Sequence, residues 1–222
     1  MQEYNRWSFH DHLREVMRTE WISASATRLS KDENAYSVGD SDGKIYFIEE
    51  GQVKIVSYSR DGKRCLLAVC VAGESFGELG ILPCPRGETA TAMTNTVLRR
   101  MSAARFKQAL QKADLAEEFA MHLVGRLSEQ QRVITNMVTM NCEQRLAATL
   151  LELARKMGIR QGNQLRIDHP ITHEDLSAMV GTTRSRIGVF LKRFRDNGLV
   201  VPHRSASFAI DEPQMQQYVE AV

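Results

Sequence analysis

Between Thr183 and Arg193 the chain places Arg184, Ser185, Arg186, Val189, Lys192 and Arg193 within three helical turns. A guanidinium group can donate two parallel N–H groups to O6 and N7 of guanine, and basic side chains further along such a stretch can reach phosphate oxygens. On a helical wheel at about 100° per residue, Ser185, Gly188, Val189 and Lys192 share one side, flanked near the start by Arg184 and Arg186. Ile187, Phe190, Leu191 and Phe194 take the other side. Arginines on a helix are commonly just a solvated face, so the meaning of this set rests on the elements that position it.

Those elements are legible in ITHEDLSAMVGTTRSRIGVFLKRFRDNGLV, residues 171–200. Thr172 with Asp175 three residues on has the pattern of a capping box, which opens a helix. Leu176, Met179 and Val180 give that helix an apolar face, and Gly181 suits the left-handed residue that stops it. A second helix starts near Thr182 or Thr183 and ends at Gly198. GLVVPHRSASFAID then reads as two short strands around a turn at 203–206, a wing on which Arg204 is a candidate phosphate contact. Residues 145–204 hold 11 Lys or Arg against 5 Asp or Glu, while 114–144 hold 2 against 5 and 205–222 hold 0 against 3. The net charge of +2 thus hides a basic segment between acidic ones, as a polyanion partner requires. The partner this implies is double-stranded DNA, with the N-terminal end of the second helix in the major groove. The competing reading is a ligand-sensing module whose C-terminal domain docks protein; a steep salt dependence of nucleic-acid binding separates the two.

A second constellation lies in GESFGELGILPCPRGETATAM, residues 73–93. Its glycines and Glu78 suit a pocket for a sugar-phosphate, yet Glu88 puts an acid where a phosphate wants a base. The surrounding 45–101 segment alternates short β-rich runs with turn signals at Glu50-Gly51 and Asp61-Gly62, which predicts a small barrel or roll. Trp7, Phe9, Leu13, Val16 and Met17 space a leading amphipathic helix over residues 5–21. From Ala103 the pattern turns helical for some forty residues. Phe119, Leu123, Leu127, Ile134 and Met137 form a stripe too long for one small core, as in a paired dimer helix. Gln130 inside that stripe can fix register or reach a ligand.

Other chemistry is scarce. No nucleophile–base pair, phosphate loop or metal-ligand spacing marks an enzyme, and no apolar run approaches the ~18 residues that span a bilayer. Cys65, Cys70, Cys84 and Cys142 have no disulfide or metal pattern and read as reduced thiols of a cytoplasmic protein, with redox sensing through Cys65, Cys70 or Cys84 as the alternative. His169 and His173 are separated by Pro170, and His10 and His12 do not share a helix face, so neither pair makes a metal site.

The order of roll, long helix and winged helix-turn-helix, carried by YFIEEGQVKIVSYSRDGKRCLLAV, GESFGELGIL and the 171–200 segment, resembles the cyclic-AMP receptor protein/FNR family of bacterial transcription regulators. The resemblance implies an α+β architecture: a β-roll effector domain over 1–113, a dimerisation helix over 114–140 and a winged helix-turn-helix domain over 141–222. It implies a homodimer on a palindromic operator, with RNA polymerase as a further partner and no membrane. DNA contacts are expected from Thr183, Arg184, Ser185, Arg186, Val189, Lys192, Arg193 and Arg204. Gly77, Glu78, Leu79, Arg86, Glu88, Thr89, Gln130 and Gln131 are the expected effector pocket. Cyclic-AMP binders of the family hold ribose with a Gly-Glu pair, matched here by Gly77 and Glu78, and the phosphate with an Arg-Ser pair, replaced here by Glu88 and Thr89. That replacement argues against cyclic AMP, with Arg86 able to substitute only if the loop bends. Gln130 and Gln131 stand where such binders carry a Thr-Ser pair, and Ser185 and Val189 where base-reading Glu and Arg usually stand, so both effector and operator should differ. The iron–sulfur cluster of FNR-type sensors is excluded, since no cysteine precedes Cys65.

Overall fold

The computed structural model describes His12 and residues 26–168, 171–202 and 207–221. Most of the leading helix expected over 5–21, His169 with Pro170, and the wing turn with Arg204 lie outside the described residues. The chain divides into two compact units, Met1–Gln131 and Arg132–Val222.

In the first unit the strands are β1 (Thr27–Leu29), β2 (Asn34–Tyr36), β3 (Lys44–Glu50), β4 (Gln52–Tyr58), β5 (Arg64–Val71), β6 (Ser75–Phe76), β7 (Thr89–Ala92) and β8 (Thr96–Ser102). They form two antiparallel sheets ordered β1-β8-β3-β6 and β2-β7-β4-β5. Side chains alternate across a strand, and β3 uses both faces. Tyr46 and Ile48 join Tyr36, Val53, Ile55, Cys70, Phe76, Ala90 and Leu98 in the core made by both sheets. Ile45 and Phe47 point the other way, toward Met101, Phe106, Leu110 and Leu115. The Asp61-Gly62 signal is realised as a reversal over residues 59–63, closed by the Ser59 N–H donating to the Lys63 carbonyl at 3.0 Å.

The forty-residue helical reading is corrected at one place. Helix α1 (Ala103–Lys112) ends, Asp114 adopts φ 53°, and α2 (Ala116–Thr139) starts anew. A left-handed residue interrupts the backbone ladder, and the break turns Leu115 into the core beside Phe106 and Leu110. Helix α2 has no buried residue and exposes Val124, Leu127, Val133, Ile134 and Val138 at 53–82 %.

The second unit holds the end of α2, then α3 (Cys142–Met157), β9 (Ile159–Gln161), β10 (Gln164–Ile167), α4 (His173–Val180), α5 (Arg184–Asp196), β11 (Val200–Pro202), β12 (Phe208–Asp211) and α6 (Glu212–Glu220). Its sheet is ordered β11-β12-β10-β9, and β11 pairs β12 as the wing reading requires. Leu146, Leu150, Ile167, Leu176, Ile187, Phe194, Ile210 and Met215 are each buried to 1 % exposure or less. No helix among the described residues is long and apolar enough to cross a membrane.

Candidate DNA interface and effector pocket

Helix α4 is capped by Thr172, whose hydroxyl accepts the Asp175 N–H at 3.0 Å. The same hydroxyl donates to Asp175 Oδ2 at 2.6 Å, so only half of the expected capping box forms. Asp is one methylene shorter than the Glu of a full box and closes on the hydroxyl instead. Gly181 ends α4 with φ 73°, a left-handed conformation that a Cβ would strain. Two residues later Thr183 caps α5 by accepting the Arg186 N–H.

The wheel separates as expected. Ile187, Phe190 and Phe194 are buried, whereas Arg184, Ser185, Arg186, Val189, Lys192 and Arg193 are exposed. Gly188 is half-buried, with the His173 ring 3.9 Å from where its Cβ would stand. Arg186 lies over the Phe190 ring at 5.6 Å. Arg193 donates from its terminal guanidinium to Glu143 Oε2 at 2.8 Å, so it already has a carboxylate partner. An open groove of about 390 Å³ runs along this face, lined by Asn141, Cys142, Glu143, Arg186, Val189, Phe190 and Arg193.

The groove's far wall is the start of α3, which the sequence reading passed over. Asn141 accepts the Glu143 and Gln144 N–H groups at 2.9 and 3.1 Å, and Gln144 returns a bond to the Asn141 N–H at 2.8 Å. The signal was present: Asn141 with Gln144 three residues on is a full box in which the longer Gln can reach back.

In the first unit, Gly77 with φ 83° leads into a 3-10 turn over Glu78–Ile81. Glu78 is 12 % exposed, with Arg126 at 3.5 Å, His122 at 3.9 Å and the Ser75 hydroxyl donating at 3.0 Å. Burial alone would raise its pKa, but the His122 imidazole, the Arg126 charge and a backbone N–H outweigh that and bring it down to about 2. Leu79 beside it is 57 % exposed. Gln130 and Gln131 are exposed on α2, with Gln130 one helical turn beyond Arg126.

Arg86 and Glu88 are both drawn inward. Arg86 is 4 % exposed; its Nε and one terminal nitrogen donate to Asp42 Oδ1 at 3.1 and 2.8 Å. Its other donors meet the Gly77 carbonyl at 2.8 Å and the Lys44 carbonyl at 2.5 Å, and its plane sits 4.2 Å over the Tyr36 ring. Glu88, 6 % exposed, accepts the Tyr36 hydroxyl at 3.1 Å, and Thr89 accepts the Val38 N–H at 3.1 Å. Burial and then the Glu88 charge push the Tyr36 phenol up, so it stays a donor to that carboxylate. Gly80 makes room for this arrangement, since a Cβ there would stand 2.7 Å from the Arg86 guanidinium. Asp42, Tyr36, His122 and Arg126 are partners of the candidate residues that sequence spacing did not reveal: Tyr36 is on β2, Asp42 in the loop before β3, and His122 and Arg126 on α2. Among the described residues, no group of three or more His, Cys, Asp or Glu could hold a metal ion.

Two family models match the chain, the cyclic nucleotide-binding domain over residues 26–113 and the Crp-like helix-turn-helix domain over 144–217. The chain belongs to the cyclic-AMP receptor protein/FNR family of transcription regulators. A CRP-like cAMP-activated global transcriptional regulator of Mycobacterium tuberculosis is 27 % identical over 172 residues, 77 % of each protein. Among solved structures, a CooA variant from Carboxydothermus hydrogenoformans shares the fold with TM-score 0.76 at 18 % identity, covering 92 % of this chain and 94 % of its own. FixK2 from Bradyrhizobium japonicum does so with TM-score 0.76 at 18 % identity, covering 88 % and 97 %. In this chain Glu88 is held by the Tyr36 hydroxyl, whose ring lies under Arg86, and Arg86 is in turn paired with Asp42.

Proposed function

We propose that this regulator is a homodimer, paired through the exposed apolar stripe of α2, that reads the two half-sites of a palindromic operator with α5. The observation that carries the reading is the capped helix-turn-helix with Arg184, Ser185, Val189 and Lys192 on its open face. Two such helices related by a dimer axis meet successive major grooves about 34 Å apart. RNA polymerase is the further partner that the family suggests.

The effector is a molecule other than cyclic AMP. Binding a cyclic phosphate at Glu88 would bring two negative groups together in a partly dry pocket, which raises the cost of repulsion. Arg86 relieves this only by abandoning Asp42 and two backbone carbonyls, each of which then loses a charged donor. Whatever binds acts through its differential affinity for the two arrangements of the dimer.

Selection from random duplexes tests the reading. The native protein should enrich a palindrome, and Arg184→Ala should lose about 1–3 kcal/mol at one guanine position per half-site. Enrichment of no palindrome would sink the DNA reading. Titration calorimetry with cyclic AMP should show no binding at micromolar concentration, and micromolar heat would overturn the effector reading.

A further inference from the structure

The side chain of Arg145 is used by neither the DNA-reading face nor the effector pocket, yet it makes four directed contacts within the second unit. Its Nε donates to the Val180 carbonyl at 3.0 Å. One terminal nitrogen donates to the carbonyls of Met140 at 2.8 Å and Met137 at 3.3 Å, and the other to Cys142 Sγ at 3.3 Å. Its backbone N–H closes the first turn of α3 on the Asn141 carbonyl at 3.0 Å.

These acceptors belong to two helix ends. Met137 lies in the last turn of α2 and Met140 just beyond it, while Val180 is the last residue of α4. The final carbonyls of a helix have no partner within it and carry the negative end of its dipole, so a cation there is both a hydrogen-bond donor and a counter-charge. A planar fork reaches carbonyls in different directions at once, which a lysine ammonium on a flexible stem does not do in a fixed geometry. Beside the fork, the Met137 side chain stands 3.7–3.8 Å from the position a Cβ would take on Gly181. Helix α5 begins at Arg184, four residues after Val180. The end of the dimerisation helix is therefore joined to the start of the helix-turn-helix bend through one guanidinium and one thioether.

We propose that Arg145 is a positioning residue for operator reading, which sets the angle between the end of α2 and recognition helix α5 so that two copies of α5 match a fixed half-site spacing. The proposal rests on the DNA-binding reading above. A dimer held at the right span gains the second half-site as an intramolecular event, and a loosened joint lowers that gain without touching either base-reading face.

The test uses the full-length chain and three duplexes built from the selected operator: both half-sites at native spacing, the spacing lengthened by one base pair, and a single half-site. Arg145→Lys keeps the charge, and Arg145→Gln keeps a donor without it. Expected is a loss of about tenfold or more on the native two-site duplex, near-native affinity for the single half-site, and weaker discrimination between the two spacings. Rescue should be partial at most with lysine. Equal losses on all three duplexes, following a fall in melting temperature, would mean that Arg145 only supports the fold and would overturn the proposal. So would variants indistinguishable from the native protein. If the native protein enriches no duplex, the DNA reading fails first and the proposal falls with it, a result distinct from native binding with indifferent variants.

Discussion

Replacing Glu143 by Gln should make operator binding more sensitive to salt. In the free protein Glu143 Oε2 lies 2.8 Å from Arg193, and its side chain is 19 % exposed against 59 % for Arg193. Burial and then the Glu143 charge push the Tyr218 phenol up, so the carboxylate serves a tyrosine as well as an arginine at the rim of the groove. With a carboxylate beside it, Arg193 brings little net positive charge to a phosphate. Glutamine keeps the shape and an acceptor but removes the counter-charge. Each phosphate newly neutralised adds about 0.9 to the slope of log K against log salt, so two protomers add about 1.8. Over a fourfold rise in salt, from roughly 50 to 200 mM, the variant should lose about tenfold more affinity than the native protein. Stability should change little, since a half-exposed ion pair contributes about 0–1 kcal/mol. Fluorescence anisotropy on the selected operator across that range reads the slope directly. Arg193→Gln is the companion variant and should leave the native slope nearly unchanged. An unchanged slope for Glu143→Gln would refute the reasoning, because Arg193 would then either leave Glu143 on binding or face no phosphate.

Three further outcomes follow from the geometry. Glu78 titrates at about 2 when folded, below the ordinary carboxylate value of 4.5, so it contributes stability that is complete above about pH 4.5 and lost as pH falls toward 2. Glu78→Gln should remove that component from an acid-unfolding profile while costing about 1–3 kcal/mol at neutral pH. Gly80→Ala places a Cβ 2.7 Å from the Arg86 guanidinium and 2.9 Å from the Lys44 carbonyl, and thermal melts should show a loss of about 1–3 kcal/mol. Leu127→Glu puts charge in the exposed apolar stripe of α2 and should convert dimer to monomer in sedimentation velocity without changing the fold seen by circular dichroism.

Much of this protein was readable from local chemistry. Thr172, Gly181 and Thr183 announce their helix ends because caps depend on residues within a few positions of each other. Ile187, Phe190 and Phe194 separate from Ser185, Val189 and Lys192 because helical periodicity alone assigns the faces. The break at Asp114 was hidden, since its cause is the fit of Leu115 against Phe106 and Leu110 rather than a residue with a strong stop signal.

The pocket shows the other limit. The family resemblance set Glu88 against the phosphate-binding Arg of cyclic-AMP binders and so turned the reading away from cyclic AMP. Only the tertiary structure decided what Arg86 does: Asp42 is 44 residues away, and Tyr36 lies on another strand. The same holds for Arg145, whose acceptors Met137 and Val180 are 8 and 35 residues distant. Periodicity and capping are local and survive in the order of the residues, whereas the partner of a buried cation is chosen by which strands and helix ends the core brings together.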